Sequence, residues 1–174
     1  MISNAELSAQ RDHTLSVARA LYDGFRRRGE TVSVAHLERM LYLCHGWTLA
    51  CTQGPLLFER FQVELQGPTL YSLAGLRRRY GRESLPMHDG DAIFGRDCIP
   101  YGDSVRTLEV LQRVLGRYGC YTSQRLGEIT RMEGGAFQRA LASNRDVLGD
   151  GEIRRDFVAL GLAGREQPAP QEAA

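Results

Sequence analysis

Histidine is the side chain whose charge changes nearest neutral pH, and His45 stands before Gly46-Trp47 in an otherwise apolar stretch. A ring in that setting is partly buried and needs a hydrogen-bond partner. It is read either as a core histidine satisfied by backbone or carboxylate, or as a group that contacts a ligand. Glu133, before Gly134-Gly135, is a carboxylate beside a flexible turn, able to cap a helix or grip an arginine. If His45 and Glu133 shared one cleft, they could serve as an acid–base pair acting on a nucleotide or a modified macromolecule. Cys44 and Cys51 share a helix face but are separated by two turns, about 10 Å at ~1.5 Å per residue. That is awkward for zinc, whose thiolate ligands lie at ~2.3 Å, and burial in a core helix is the simpler reading. Cys98, Cys120 and His36 have no neighbour at ligand spacing. Asp89-Gly90-Asp91 with Asp97 lacks the further ligands and closing Glu of a calcium loop, so it is expected to be a solvated loop. No nucleophile elbow, zincin helix or phosphate-binding glycine fingerprint occurs. No cofactor and no metal are expected.

The chain that holds these residues has 174 residues, 43% hydrophobic and 25% charged, which suits one globular domain rather than a disordered or membrane-spanning chain. No apolar run approaches the ~18 residues of a bilayer crossing, and no signal-peptide pattern follows Met1, so a cytoplasmic location is expected. All 22 basic residues are arginine. Lysine chemistry is therefore absent, while bidentate recognition of carboxylate or phosphate stays open. Residues 1–82 carry a net +4 and residues 83–174 a net −3, too mild an asymmetry for a dedicated nucleic-acid binder.

Periodicity supplies the scaffold. Leu15, Ala18, Tyr22 and Phe25 form one helix stripe, with Arg19 and Arg26 turned outward and Gly29 as the stop. Ser33 caps a second helix over about Val34–Thr52, apolar on most faces and hence central. Phe61, Val63 and Leu65 alternate with polar residues as in a half-buried strand. Gly67-Pro68 is expected to turn the chain into a short helix ending at Arg77-Arg78-Arg79-Tyr80-Gly81. Residues 82–103 read as loop, with one short strand near Ala92-Ile93-Phe94. Asp103 or Ser104 caps an amphipathic helix facing inward with Val105, Leu108, Leu111, Leu115 and Tyr118. Thr122-Ser123 caps another, a helical turn covers Phe137–Leu141, and a last helix covers about Gly151–Leu162. The expected fold is mostly α (α+β): a compact helical domain over residues 1–162 with a small β element between the second and third helices. A disordered tail is expected over 163–174.

Two stretches carry a family resemblance. Leu37-Glu38-Arg39-Met40-Leu41-Tyr42-Leu43-Cys44-His45-Gly46-Trp47, followed by Gly54-Pro55-Leu56 and Gly67-Pro68, resembles the N-terminal signature of the Panacea domain family of SocA-like antitoxins and phage-associated GepA-like proteins. Tyr118-Gly119, Ser123, Leu126, Ile129-Thr130 and Glu133-Gly134 are similar to its second signature. Glu64 and Gln66 stand where the family carries Trp and an aromatic, Arg131 where it favours His, and Ala136-Phe137 where it has Pro-Trp. The resemblance implies an antitoxin that binds and neutralises a cognate toxin encoded nearby. Partner contacts are then expected at His45, Trp47, Gly67, Pro68, Arg77, Arg78, Arg131 and Glu133. One alternative is an adaptor that delivers the toxin to the ClpXP protease, with Ala173-Ala174 as a recognised end. The others are the enzyme noted above and a nucleic-acid-binding regulator using Arg26–Arg28 with Arg77–Arg79. No membrane partner is expected, and nucleic acid is disfavoured.

Overall fold

The computed structural model describes residues 3–52, 54–102 and 104–166. Among them are helices α1 (Asn4–Arg27), α2 (Val34–Thr52), α3 (Ala74–Tyr80), α4 (Gly90–Phe94), α5 (Val105–Tyr118), α6 (Ser123–Thr130), α7 (Ala136–Ala142) and α8 (Asp150–Glu166). Strands β1 (Gln62–Glu64) and β2 (Gly67–Thr69) form one antiparallel sheet between α2 and α3. The fold is mostly α with a small β element.

Helix α2 is the axis of the molecule because nearly its whole circumference is apolar. Ser33 accepts a hydrogen bond from the His36 backbone and so caps it. Leu37, Met40, Leu41 and Cys44 are fully buried, and α1, α5, α6, α8 and β2 pack around them. Burying each such Leu or Met contributes roughly 1.5–3 kcal/mol. Burial also raises the Cys44 thiol well above its usual pKa, so it is a small core hydrophobe rather than a thiolate.

Helix α1 begins at a capping box between Ser3 and Glu6 and buries Ala18, Tyr22 and Phe25 as the stripe requires. Arg19 departs from expectation. It is only 8% exposed, because residues 82–102 fold back over α1 and bring their acids to it. Its guanidinium lies 2.7 Å from Asp91 and 3.8 Å from Asp89, and it donates to the Cys98 carbonyl. Half-buried Asp91 thus ties the loop to α1, while Asp89 and Asp97 stay exposed as a solvated loop would have them. Tyr22 adds a hydroxyl bond to the Pro86 carbonyl at 2.6 Å, and Ser16 one to Ile99 at 2.6 Å. The strand expected near Ala92-Ile93-Phe94 is instead helix α4, which buries Ile93 against α1.

The β element differs in register from the sequence pattern. Gly67-Pro68 does not turn the chain; it lies in β2, and Leu65-Gln66 make the turn. Leu65 is therefore 85% exposed, while Phe61 is buried. Pro68 is tolerated because it faces Val63, whose own N–H points the other way, to the Asp146 carbonyl at 2.9 Å. No ladder bond is lost at that pair. Gly67 has φ +130°, a conformation side-chain-bearing residues rarely adopt.

Ser104 and Thr122 cap α5 and α6 through the Thr107 and Arg125 N–H groups; Asp103 lies outside the described residues. On α5, Leu111, Val114 and Tyr118 are buried, whereas Val105 is exposed. Helix α8 continues to Glu166, past Ala163, where the tail was expected to begin; residues 167–174 lie outside the described residues. No helix among the described residues is long and apolar enough to cross a membrane.

Candidate functional site

His45, Gly46 and Trp47 form the seat on which α8 docks. The His45 ring is completely buried. Its Nδ1 accepts the Leu57 N–H at 3.2 Å, which places the ring proton on Nε2, 3.2 Å from Asp150 Oδ1. That hydrogen bond holds the Asp150 carboxyl below its ordinary pKa. Both ring nitrogens are thereby committed to the fold, and no ring surface is left for a partner. Phe157 of α8 lies over Gly46 and meets Trp47 edge-on at 5.3 Å between ring centroids. Trp47 stays half-buried and borders a depression of about 380 Å³ with Val110, Val114, Tyr118, Arg113 and Arg117.

Glu133 is not brought to His45. It is exposed on the turn before α7 and makes no hydrogen bond or ion pair among the described residues. Nor does it cap α7, since the Ala136 N–H is taken by Asp156 of α8. Among the described residues no cluster of three His, Cys, Asp or Glu side chains could hold a metal.

Gly67, Pro68, Arg77 and Arg131 do gather around the hairpin. Buried Glu38 of α2 accepts the Leu70 N–H at 3.0 Å, just after β2, and a charge-assisted bond from Arg77. Arg77 also reaches the Leu70 carbonyl at 3.0 Å and lies 3.8 Å from Glu64. Burial pushes the Glu38 carboxyl up to about 7 against the opposing pull of Leu70 and Arg77. Gly67 and Pro68 are buried, and Arg77 is spent on this network, so these three act as internal fixtures. Arg78 is exposed on α3. Arg131 is half-buried, donates from Nε to the Gly127 carbonyl at 3.1 Å, and passes its Cδ 3.9 Å from where a Gly67 side chain would begin. Of the two arginine runs, Arg26 pairs with Asp23, Arg28 with Glu30, and Arg77 with Glu38.

The other side of the hairpin holds a feature that the sequence did not single out. Gln62 of β1, Tyr71 and Ser72 after β2, Leu7, Ser8, Gln10 and Arg11 of α1, and Val147 line a groove of about 400 Å³. Tyr71 is 72%, Leu7 51% and Val147 40% exposed. Glu59 fastens the groove's edge, accepting the Ser72 N–H at 2.9 Å and the Ser72 hydroxyl. Three large apolar side chains are thus left exposed around one concave place. Its members come from four separate segments, so only their lack of any core periodicity could have signalled them.

No family model, curated protein or solved structure matches the chain.

Proposed function

We propose that this chain is an antitoxin that binds a cognate toxin encoded nearby and neutralises it by protein–protein contact. The observation that carries the reading is the groove bordered by exposed Leu7, Tyr71 and Val147. An apolar centre supplies most of the affinity of a protein interface, and a polar rim sets its register. Arg11, Arg60 and Glu59 furnish that rim. The two stretches of family resemblance also support the reading, because α2 and β2 both pack against α6 and make one contiguous unit. Binding of this kind needs no reacting group, and His45, with both ring nitrogens committed, offers none. Delivery to ClpXP rests on Ala173-Ala174, which lie outside the described residues.

The test is growth rescue. The adjacent gene is induced alone and then together with this chain. Growth arrest followed by recovery, with a stable complex on copurification, is the expected result. Recovery accompanied by rapid loss of the toxin would favour proteolytic delivery instead. Absence of toxicity, or of recovery, would overturn the antitoxin reading.

A further inference from the structure

Of the buried and half-buried arginines whose side chains are described, Arg19, Arg26, Arg77 and Arg139 each lie against a carboxylate. Arg39 and Arg131 form no ion pair among the described residues, and they sit together. Arg131 Nη2 and the Nε and Cζ of Arg39 come within 3.3 and 3.5 Å of the point where a Gly127 side chain would begin. Each arm is held in place by neutral acceptors. Arg39 donates to the Ser123 carbonyl at 2.8 Å and to the Ser123 hydroxyl, and Arg131 Nε donates to the Gly127 carbonyl. Burial first, and then the charge of Arg131, lower the Arg39 pKa, the mark of two like charges sharing a partly dry place. Glu38 is adjacent in sequence but is occupied by Arg77 and the Leu70 N–H. The remaining donors, Arg39 Nε and Nη2 with Arg131 Nη1 and Nη2, have no hydrogen-bond partner among the described residues.

We propose that Arg39 and Arg131 form a clasp for an oxyanion, a carboxylate or phosphate group, with Gly127 as its floor. Two preorganised guanidiniums with free N–H donors match the geometry of such a group, and an anion between them relieves their mutual repulsion. Gly127 makes the approach possible: a methyl group there would stand 3.3 Å from Arg131 Nη2 and 3.5 Å from Arg39 Nε. The clasp does not depend on the antitoxin reading, since it requires only an anion.

The test follows the arginine Nε–H resonances by 15N NMR while inorganic phosphate, or separately acetate, is added at constant ionic strength set with chloride. Saturating shifts confined to Arg39 and Arg131 are expected, with phosphate or acetate giving them according to which oxyanion the clasp prefers. Gly127→Ala, which improves helix propensity and so keeps the fold, is expected to weaken that binding about tenfold or more. A loss of that size corresponds to one charge-assisted hydrogen bond. Arg131→Gln is expected to abolish saturation at Arg39. Shifts that rise linearly and equally at exposed Arg78, or binding unchanged in Gly127→Ala and Arg131→Gln, would overturn the clasp.

Discussion

Phe157 of α8 rests directly on the backbone of Gly46 in α2: a methyl group at position 46 would stand 2.2 Å from its Cε2. The glycine is there for close approach, not for chain flexibility. Flanking it, His45 meets Asp150 at the start of α8, and Trp47 meets Phe157 and comes within 3.5 Å of the side-chain position at Gly161. Three consecutive residues thus fix one helix against another. Gly46→Ala should lower stability by about 1–3 kcal/mol through overpacking, although alanine favours helix. Urea unfolding checks this, and a stability equal to or above wild type would contradict the close packing.

Removing the His45 ring should cost about 2–4 kcal/mol, because it opens a cavity and strands the Leu57 N–H. Glu133→Ala, on an exposed side chain with no partner among the described residues, should stay within about 0.5 kcal/mol. Paired thermal melts of the two variants provide the comparison. A loss at Glu133 as large as that at His45 would contradict its exposed position.

Two buried groups give stability opposing pH dependences. Glu38 titrates near 7 in the fold against an ordinary 4.5, so the folded state keeps a proton that the unfolded chain releases. That contribution is complete below about 4.5 and is lost as pH rises through 7. His36 is lowered from 6.5 to about 4 by burial. Its contribution is complete above 6.5 and is lost as pH falls through 4. Glu38→Gln removes only the first. Relative to wild type it should gain up to roughly 3 kcal/mol between about pH 4 and pH 8. A stability difference that is constant with pH would show that Glu38 titrates alike in the folded and unfolded states, contradicting the raised value.

Local pattern was enough to locate α2, whose capping serine and continuous apolar faces agree with its position at the centre. It was enough for α5 and α6 as well, where Ser104 and Thr122 cap amphipathic stripes. It failed where distant partners decide the outcome. Arg19 faces what would be solvent on an isolated helix, but a loop more than 60 residues away supplies its carboxylates. Ala92-Ile93-Phe94 is too short for its apolar run to distinguish strand from helix. Leu65 continues an alternating pattern beyond the point where the hairpin turns. Among the site residues, Gly67, Pro68, Arg77 and Arg131 lie in stretches already noted, but their gathering around one hairpin does not follow from local spacing. Arg39, Gly127 and the Leu7–Tyr71–Val147 groove depend on tertiary proximity that no local spacing encodes.

We propose the groove beside the hairpin as the seat of a protein partner. Size-exclusion copurification with the product of the adjacent gene, using the wild-type chain and Tyr71→Glu, tests it most directly. Tyr71 is exposed and its removal leaves the core intact, so the variant should melt as wild type does. The expected result is a stable complex with wild type and its loss with Tyr71→Glu. A complex that survives Tyr71→Glu unchanged, or none with either chain, would contradict the claim.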